Sequence, residues 1–261
     1  MKRYLAVAAL GLVGALLVLP RSAPAAKKEK YKAVTVTNGG AISGKVTLKG
    51  SVPSIEPLAV PKDKDFCGAT LASDVLFVGK DGGLKNAVVS LEEVAEGKAL
   101  DQEKVITLTN SKCMFGPHVL AMPARSKLAI VNDDPILHNT HSFLGRKTIF
   151  NLALPKKGQT IKKKIKRAGM MTVRCDAHPH MSGYILAFNH PYYAVTGEDG
   201  SFTIKDIPPG TYTLTGWHES WTIVKKDAKG RVKYGKPHTA SKEVTVKGGE
   251  TAIVNFEFAA K

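Results

Sequence analysis

The run Gly169-Met170-Met171-Thr172-Val173-Arg174-Cys175-Asp176-Ala177-His178-Pro179-His180-Met181, resumed at Tyr184-Ile185-Leu186-Ala187-Phe188, decides how this chain is read. Its two flanks are apolar and β-prone, and one turn between them holds a thiolate, an imidazole and a thioether at the spacing Cys-x2-His-x2-Met. Cys175 ends one expected strand and Met181 precedes the next, so both ends of the loop are held by a sheet, which is how a site becomes rigid. A second imidazole, His138, stands upstream in Val131-Asn132-Asp133-Asp134-Pro135-Ile136-Leu137-His138-Asn139. Two histidines, one cysteine and a weak axial methionine form the donor set of a blue-copper electron-transfer site. Sulfur suits Cu(I) and imidazole suits both oxidation states.

Working outward, the pattern stays β. Residues 40–48, 86–92, 105–109 and 127–132 alternate or run apolar as strands do, and 158–162 with 169–175 bracket an expected hairpin. Residues 54–83 hold Pro, Asp, Lys and Gly in loop-like density. After His190-Pro191, turn-then-strand units recur at 197–204, 207–214 and 243–258, as in the hairpins of a small sandwich. Long amphipathic helical patterns are absent, so an all-β protein is expected. Met170 and Met171, in a strand, are read as core.

The chain opens Met1-Lys2-Arg3, runs apolar from Leu5 to Leu19 and reaches Ala23-Pro24-Ala25. That reads as a cleavable secretory signal over 1–25. The apolar run is short for a span, which needs roughly 20 residues, so no stable membrane insertion is expected after cleavage, and the mature protein is expected in a bacterial periplasm. About 235 residues remain, enough for one large or two small domains. Of three cysteines, Cys175 is claimed by the metal reading. In an oxidising compartment Cys67 and Cys113 most simply pair, two buried free thiols being the alternative.

The net charge is +16, and loss of Lys2, Arg3 and Arg21 leaves +13. Such a balance steers toward acidic partners. Nucleic acid is not expected, because an exported chain without a nucleic-acid motif gives no ground for it. Two basic stretches stand out: Lys156, Lys157, Lys162, Lys163, Lys164, Lys166 and Arg167, then Lys225, Lys226, Lys229, Arg231, Lys233 and Lys236. Each reads equally as a solvated hairpin or a docking patch.

At its metal loop the chain resembles the cupredoxins, the plastocyanin/azurin family, with an amicyanin-like Cys-x2-His-Pro-x-Met loop over about 101–190. The resemblance implies His138, Cys175 and His178 as equatorial ligands of one type-1 copper and Met181 as the axial ligand. It implies that Asn139 ties the two ligand loops together near the thiolate, and that the ring edge of His178 faces solvent as the electron's exit. His180 departs from the aromatic residue such loops carry. The flanks resemble a carboxypeptidase regulatory-like sandwich, similar to transthyretin. The carriers are Gly44-Lys45-Val46, Gly50-Ser51-Val52-Pro53, Ala87-Val88-Val89-Ser90-Leu91, Gly200-Ser201-Phe202-Thr203-Ile204 and Ile207-Pro208-Pro209-Gly210-Thr211-Tyr212. The expected architecture is a cupredoxin Greek-key sandwich inserted in, or joined to, a second small β-sandwich. A signal (1–25) and a loose arm (26–34) precede the sandwich's first part (35–100), the cupredoxin (101–190) and its second part (191–261).

The function expected is outer-sphere electron carriage between acidic redox partners, not catalysis. Copper handling is the rival, as chaperone, buffer or sensor, with His141, His118 and His180 as accessory ligands. A metalloenzyme with an open coordination position is a third class. Trp217-His218-Glu219 with Trp221 reads as a recognition patch or as core aromatics. No Cys-x-x-Cys-His, nucleotide-binding glycine loop or H-E-x-x-H occurs. The acidic pairs Asp133/Asp134 and Glu92/Glu93 show no base or nucleophile beside them.

Overall fold

The computed structural model describes residues 30–260, and their regular secondary structure is almost wholly β. The expected signal and residues 26–29 of the expected arm lie outside the described residues. Among the described residues no helix is long and apolar enough to cross a membrane.

Strands between residues 106 and 188 make two facing sheets. One has the order Thr160–Lys164, Lys127–Asn132, Ile106–Ser111, Met114–Gly116. The other runs Lys147–Leu154, His138–Leu144, Gly169–Arg174, Ser182–Phe188, Val119–Pro123. Leu108, Leu128 and Ile130 from the first meet Val173, Ile185 and Met122 from the second, all fully buried. Each such aliphatic side chain contributes about 1.5–3 kcal/mol by leaving water. Cys175 and Met181 belong to this same apolar cluster, so the expected metal loop grows directly out of the core.

Strands on either side of that segment share two further sheets. Gly40–Lys49 pairs with Ser201–Ile207, Thr251–Ile253 and Phe256–Ala259, and Val88–Leu91 lies between Tyr193–Val195 and Gly210–His218, which also pairs with His238–Val246. Their core holds Ile42, Val46, Leu84, Val89, Leu214, Phe202 and Phe256. A smaller cluster of Val88, Val119, Leu186 and Trp217 joins it to the first pair of sheets.

Several expectations are corrected. Residues 160–164 and 169–174 are not a hairpin, because they belong to opposite sheets. Ile165 is buried between them, accepts from the amide of Arg125 and donates its own amide to the Ser126 carbonyl, so the chain crosses the core there instead of turning back. Residues 201–207 and 210–218 do not pair either. Pro208-Pro209 supply no amide donors at the corner, and the chain switches sheets. Met171 is core, but Met170 is 40% exposed, because neighbours on a strand point to opposite faces. The arm is held at its end: Lys32–Ala33 pairs with Glu96–Gly97, and the Tyr31 hydroxyl donates to the Lys98 carbonyl at 2.6 Å. The loop-rich 54–83 region contains a short ladder of Leu58–Ala59 with Thr70–Leu71 and one helical turn, Lys64–Cys67. Cys67 is bonded to Cys113, which fastens that turn to the sheets of the 106–188 segment.

Candidate metal centre

Three loops converge on Cys175. The first begins at Asn132, which ends a strand with its side chain turned back into the loop. Its Nδ2 donates to the carbonyls of Ile136 and Leu154, both at 2.8 Å, and its Oδ1 accepts from the Asp134 amide at 3.0 Å. That local turn aims the Asp134 carboxylate inward. Asp134 accepts from the amides of Lys112 and Cys113, each at 2.8 Å, and from His138 Nε2 at 2.9 Å. Lys112 and Cys113 both have left-handed φ, 53° and 60°, which turns their amides toward the carboxylate. His138 then opens the strand His138–Leu144 with its ring fully buried.

The second loop is the turn 175–181. The Met181 carbonyl accepts from the Cys175 amide at 3.3 Å, and the His178 carbonyl accepts from the Met181 amide at 3.0 Å. Asn139 ties this turn to the first loop. Its Oδ1 accepts from the amides of Asp176 (2.7 Å) and Ala177 (3.2 Å), and its own amide points at Cys175 Sγ at 3.5 Å.

Two donor atoms face the free sulfur: His138 Nδ1 lies 4.0 Å and His178 Nδ1 3.7 Å from Cys175 Sγ. With Cys175 they form a buried trio whose ligand atoms lie within 4.8 Å of one another. Met181 is fully buried beside Cys175 in the same cluster. A second grouping, Cys113 with Asp134 and His138, offers no thiolate because Cys113 is disulfide-bonded.

The third loop brings a carboxylate that the sequence reading missed. Asp63, with left-handed φ of 54°, places Oδ2 2.8 Å from His178 Nε2. A carboxylate accepts only, so Asp134 and Asp63 hold the proton on Nε2 of both rings and leave both Nδ1 lone pairs turned toward sulfur. The donor set therefore fits a soft or borderline metal: two imidazole nitrogens and one cysteine sulfur, all pre-oriented. Burial lowers the basicity of His138, with Asp134 opposing it, which favours the neutral ligand form. Burial also pushes the Cys175 thiol up against the pull of nearby amides, so a bound cation is what would secure the thiolate.

One expectation about the centre fails. The His178 ring edge does not face solvent: the side chain is completely buried, covered by Asp63 and the disulfide-fastened turn. The expectation that the Asp133/Asp134 pair stands without a base beside it is corrected, because the loop opened by Asn132 folds Asp134 back onto His138, four residues on. Asp63 carried no signal in sequence, being 115 residues from His178.

The other histidines are engaged elsewhere. His141 Nδ1 lies 2.9 Å from Asp176 and its Nε2 3.1 Å from Thr148 Oγ1. Partial burial acts against ionisation of Asp176, but His141 and the Asn139 and Asn151 amides hold its carboxyl below the usual range. His180 Nε2 donates to the Cys113 carbonyl at 3.0 Å, and burial pulls its pKa down to about 4. His118 sits buried between Glu219, in short contact, and Asp74, 3.0 Å from Nδ1 as an ion pair but not aligned as a hydrogen bond. Trp217 and Trp221 are buried, so their core reading holds and no recognition patch forms there.

Comparison with known proteins adds two partial likenesses. The family model of the "BOS complex subunit NOMO1-like, second beta sandwich domain" matches residues 189–247. Among solved structures, a purple cupredoxin from Nitrosopumilus maritimus is 22% identical, covering 32% of this chain and 99% of its own with a TM-score of 0.28. Amicyanin from Paracoccus versutus is 18% identical over 34% of this chain and 96% of its own, TM-score 0.29. The copper-containing nitrite reductase of Thermus scotoductus is 22% identical over 35% and 24% respectively, TM-score 0.30. None of the curated proteins matches the chain.

Proposed function

We propose that the protein is a type-1 copper electron carrier of the bacterial periplasm, with His138, Cys175, His178 and Met181 as its ligands. One observation carries this reading: two buried imidazoles present Nδ1 to one buried free thiol at 4.0 and 3.7 Å, and each is fixed from behind by a carboxylate. Copper held there would supply a one-electron cycle between Cu(I) and Cu(II).

The chain's own residues do the rest. Asp134 and Asp63 fix the tautomer and pitch of each ring, which keeps the donor atoms in place through a change of charge. Asn139 holds the two ligand loops at one separation and directs its amide at the sulfur. The core around Cys175 and Met181 excludes water. Four protein donors would leave no position for a substrate, so we read the protein as a carrier and not an enzyme. The copper-handling alternative gains no support from His118, His141 or His180, since each is bonded to another group.

We also read 101–190 as the metal module inserted between the two parts of a second sandwich, 35–100 and 191–261. The support is that strands from both flanks share sheets, Gly40–Lys49 with Ser201–Ile207 and Val88–Leu91 with Gly210–His218.

Titration of the chain with Cu(II), followed by visible absorption, tests the assignment. An intense thiolate-to-copper band that disappears in Cys175→Ser is expected. The same band in Cys175→Ser would overturn it.

A further inference from the structure

The second basic stretch forms a hairpin of Ile223–Lys226 and Val232–Tyr234, which pair with each other and with no other strand among the described residues. It stands over the metal loop. Arg231 Nη2 donates to the Cys175 carbonyl at 3.5 Å, and a cleft below it is lined by Leu58, His180, Met181, Arg231 and Tyr234. Lys226, beside the turn, is paired with Glu56 at 2.5 Å. Asp227 is spent on its turn, accepting from the amides of Lys229 and Arg231 at 2.9 Å each. Lys225, Lys229, Arg231 and Lys233 make no salt bridge among the described residues, and all but the half-buried Arg231 are exposed. Just before Lys225 on the same strand, Ile223 and Val224 are 37% and 57% exposed.

We infer that this hairpin is the docking face for an acidic redox protein. The inference rests on the electron-carrier reading and adds where the partner sits. Three observations favour this face over the alternatives. The His178 edge is closed by Asp63, and the covering turn sets Lys62 and Lys64 against Asp63 and Asp65, so it offers no net charge. The other basic stretch includes Thr160–Lys164, the edge of its sheet, where lysines protect an open edge from pairing with other chains. Among the described residues, the 223–234 hairpin combines an excess of cations, exposed apolar residues and a polar contact to the Cys175 backbone. Charge guides the encounter and the apolar pair supplies contact area. The exchange is one electron out of Cu(I), leaving Cu(II), into an oxidised acidic partner, with no bond made or broken.

Two measurements test this. The first uses metal-free protein and hexacyanochromate(III), an inert paramagnetic trianion, read by amide line broadening. Broadening is expected at 224–234, lost in Lys225→Glu/Lys229→Glu/Lys233→Glu and kept in Lys162→Glu/Lys164→Glu/Lys166→Glu. A footprint centred on 160–167, or spread evenly over the lysines, would overturn the inference. The second follows oxidation of the copper-loaded protein at low salt. The hairpin triple variant should react about tenfold more slowly with hexacyanoferrate(III), with the difference fading at high salt. Its rate with the cationic tris(phenanthroline)cobalt(III) should not fall. Equal slowing with both oxidants would mean damage to the centre and would refute the docking face. A hairpin footprint in a chain that takes up no copper would sink the carrier reading and leave an acid-binding face.

Discussion

Removing the Asp63 carboxylate should loosen the metal centre without touching a ligand. Asp63 accepts from His178 Nε2 at 2.8 Å, and the His178 ring has no exposure to water. A hydrogen bond to a charged acceptor is worth about 1.5–3 kcal/mol, and the lower end applies because Asp63 is 32% exposed. Asp63→Ala would leave a buried ring N–H unpaired and free the ring to tilt. Copper affinity should fall by about tenfold or somewhat more, the range seen when a partner behind a ligating histidine is lost. Asp63→Asn keeps a neutral acceptor in the same place. Since charge-assisted bonds are roughly twice as strong as neutral ones, its loss should be about threefold. The order wild type, Asn, Ala is the fingerprint, measured by competition for Cu(I) with a chromophoric chelator. Both variants should also shift the reduction potential upward, since a lost negative charge disfavours Cu(II) more than Cu(I). Equal affinities in all three proteins, or a lowered potential, would refute the claim that Asp63 positions His178.

Breaking the Cys67–Cys113 bond as a double Cys→Ser variant frees a loop with a sequence separation of 46, which by chain entropy costs up to about 4 kcal/mol. A denaturant midpoint unchanged from wild type would contradict this. Met171→Ala should cost about 2–5 kcal/mol by leaving a cavity, while Met170→Ala should stay within about 0.5 kcal/mol, as thermal or urea unfolding will show. His118 gives a pH signature. Burial alone would lower its pKa, but Glu219 and Asp74 outweigh that and raise it well above the ordinary histidine value. A raised folded-state pKa stabilises fully below the unfolded value and loses that contribution as pH rises through the folded one. Stability should therefore decline from neutral toward alkaline pH, and His118→Gln should flatten that slope in urea melts across the range. An unaltered slope would show that the pair does not titrate with unfolding.

By itself, the sequence determined the β character of the chain and the loop that gathers sulfur and imidazole, because both are encoded within short windows. Alternation over a few residues sets which side chains face inward, and Cys175, His178 and Met181 lie within one turn. His138 and Asn139 were legible for a related reason, since they open a strand after a compact polar loop. Strand partners were not legible, as the false hairpin at 158–175 shows. Sheet membership there depends on Ile165 crossing the core, a contact no local window contains. The covering of His178 was decided by tertiary structure alone. Asp63 reaches it across 115 residues, on a turn that the Cys67–Cys113 disulfide fastens to the sheets, while Arg231 of the basic hairpin reaches the Cys175 carbonyl from another side. Local sequence specifies donors and strand faces through short-range sterics. Which distant carboxylate or cation then stands over those donors is fixed only when separate loops are packed against one core.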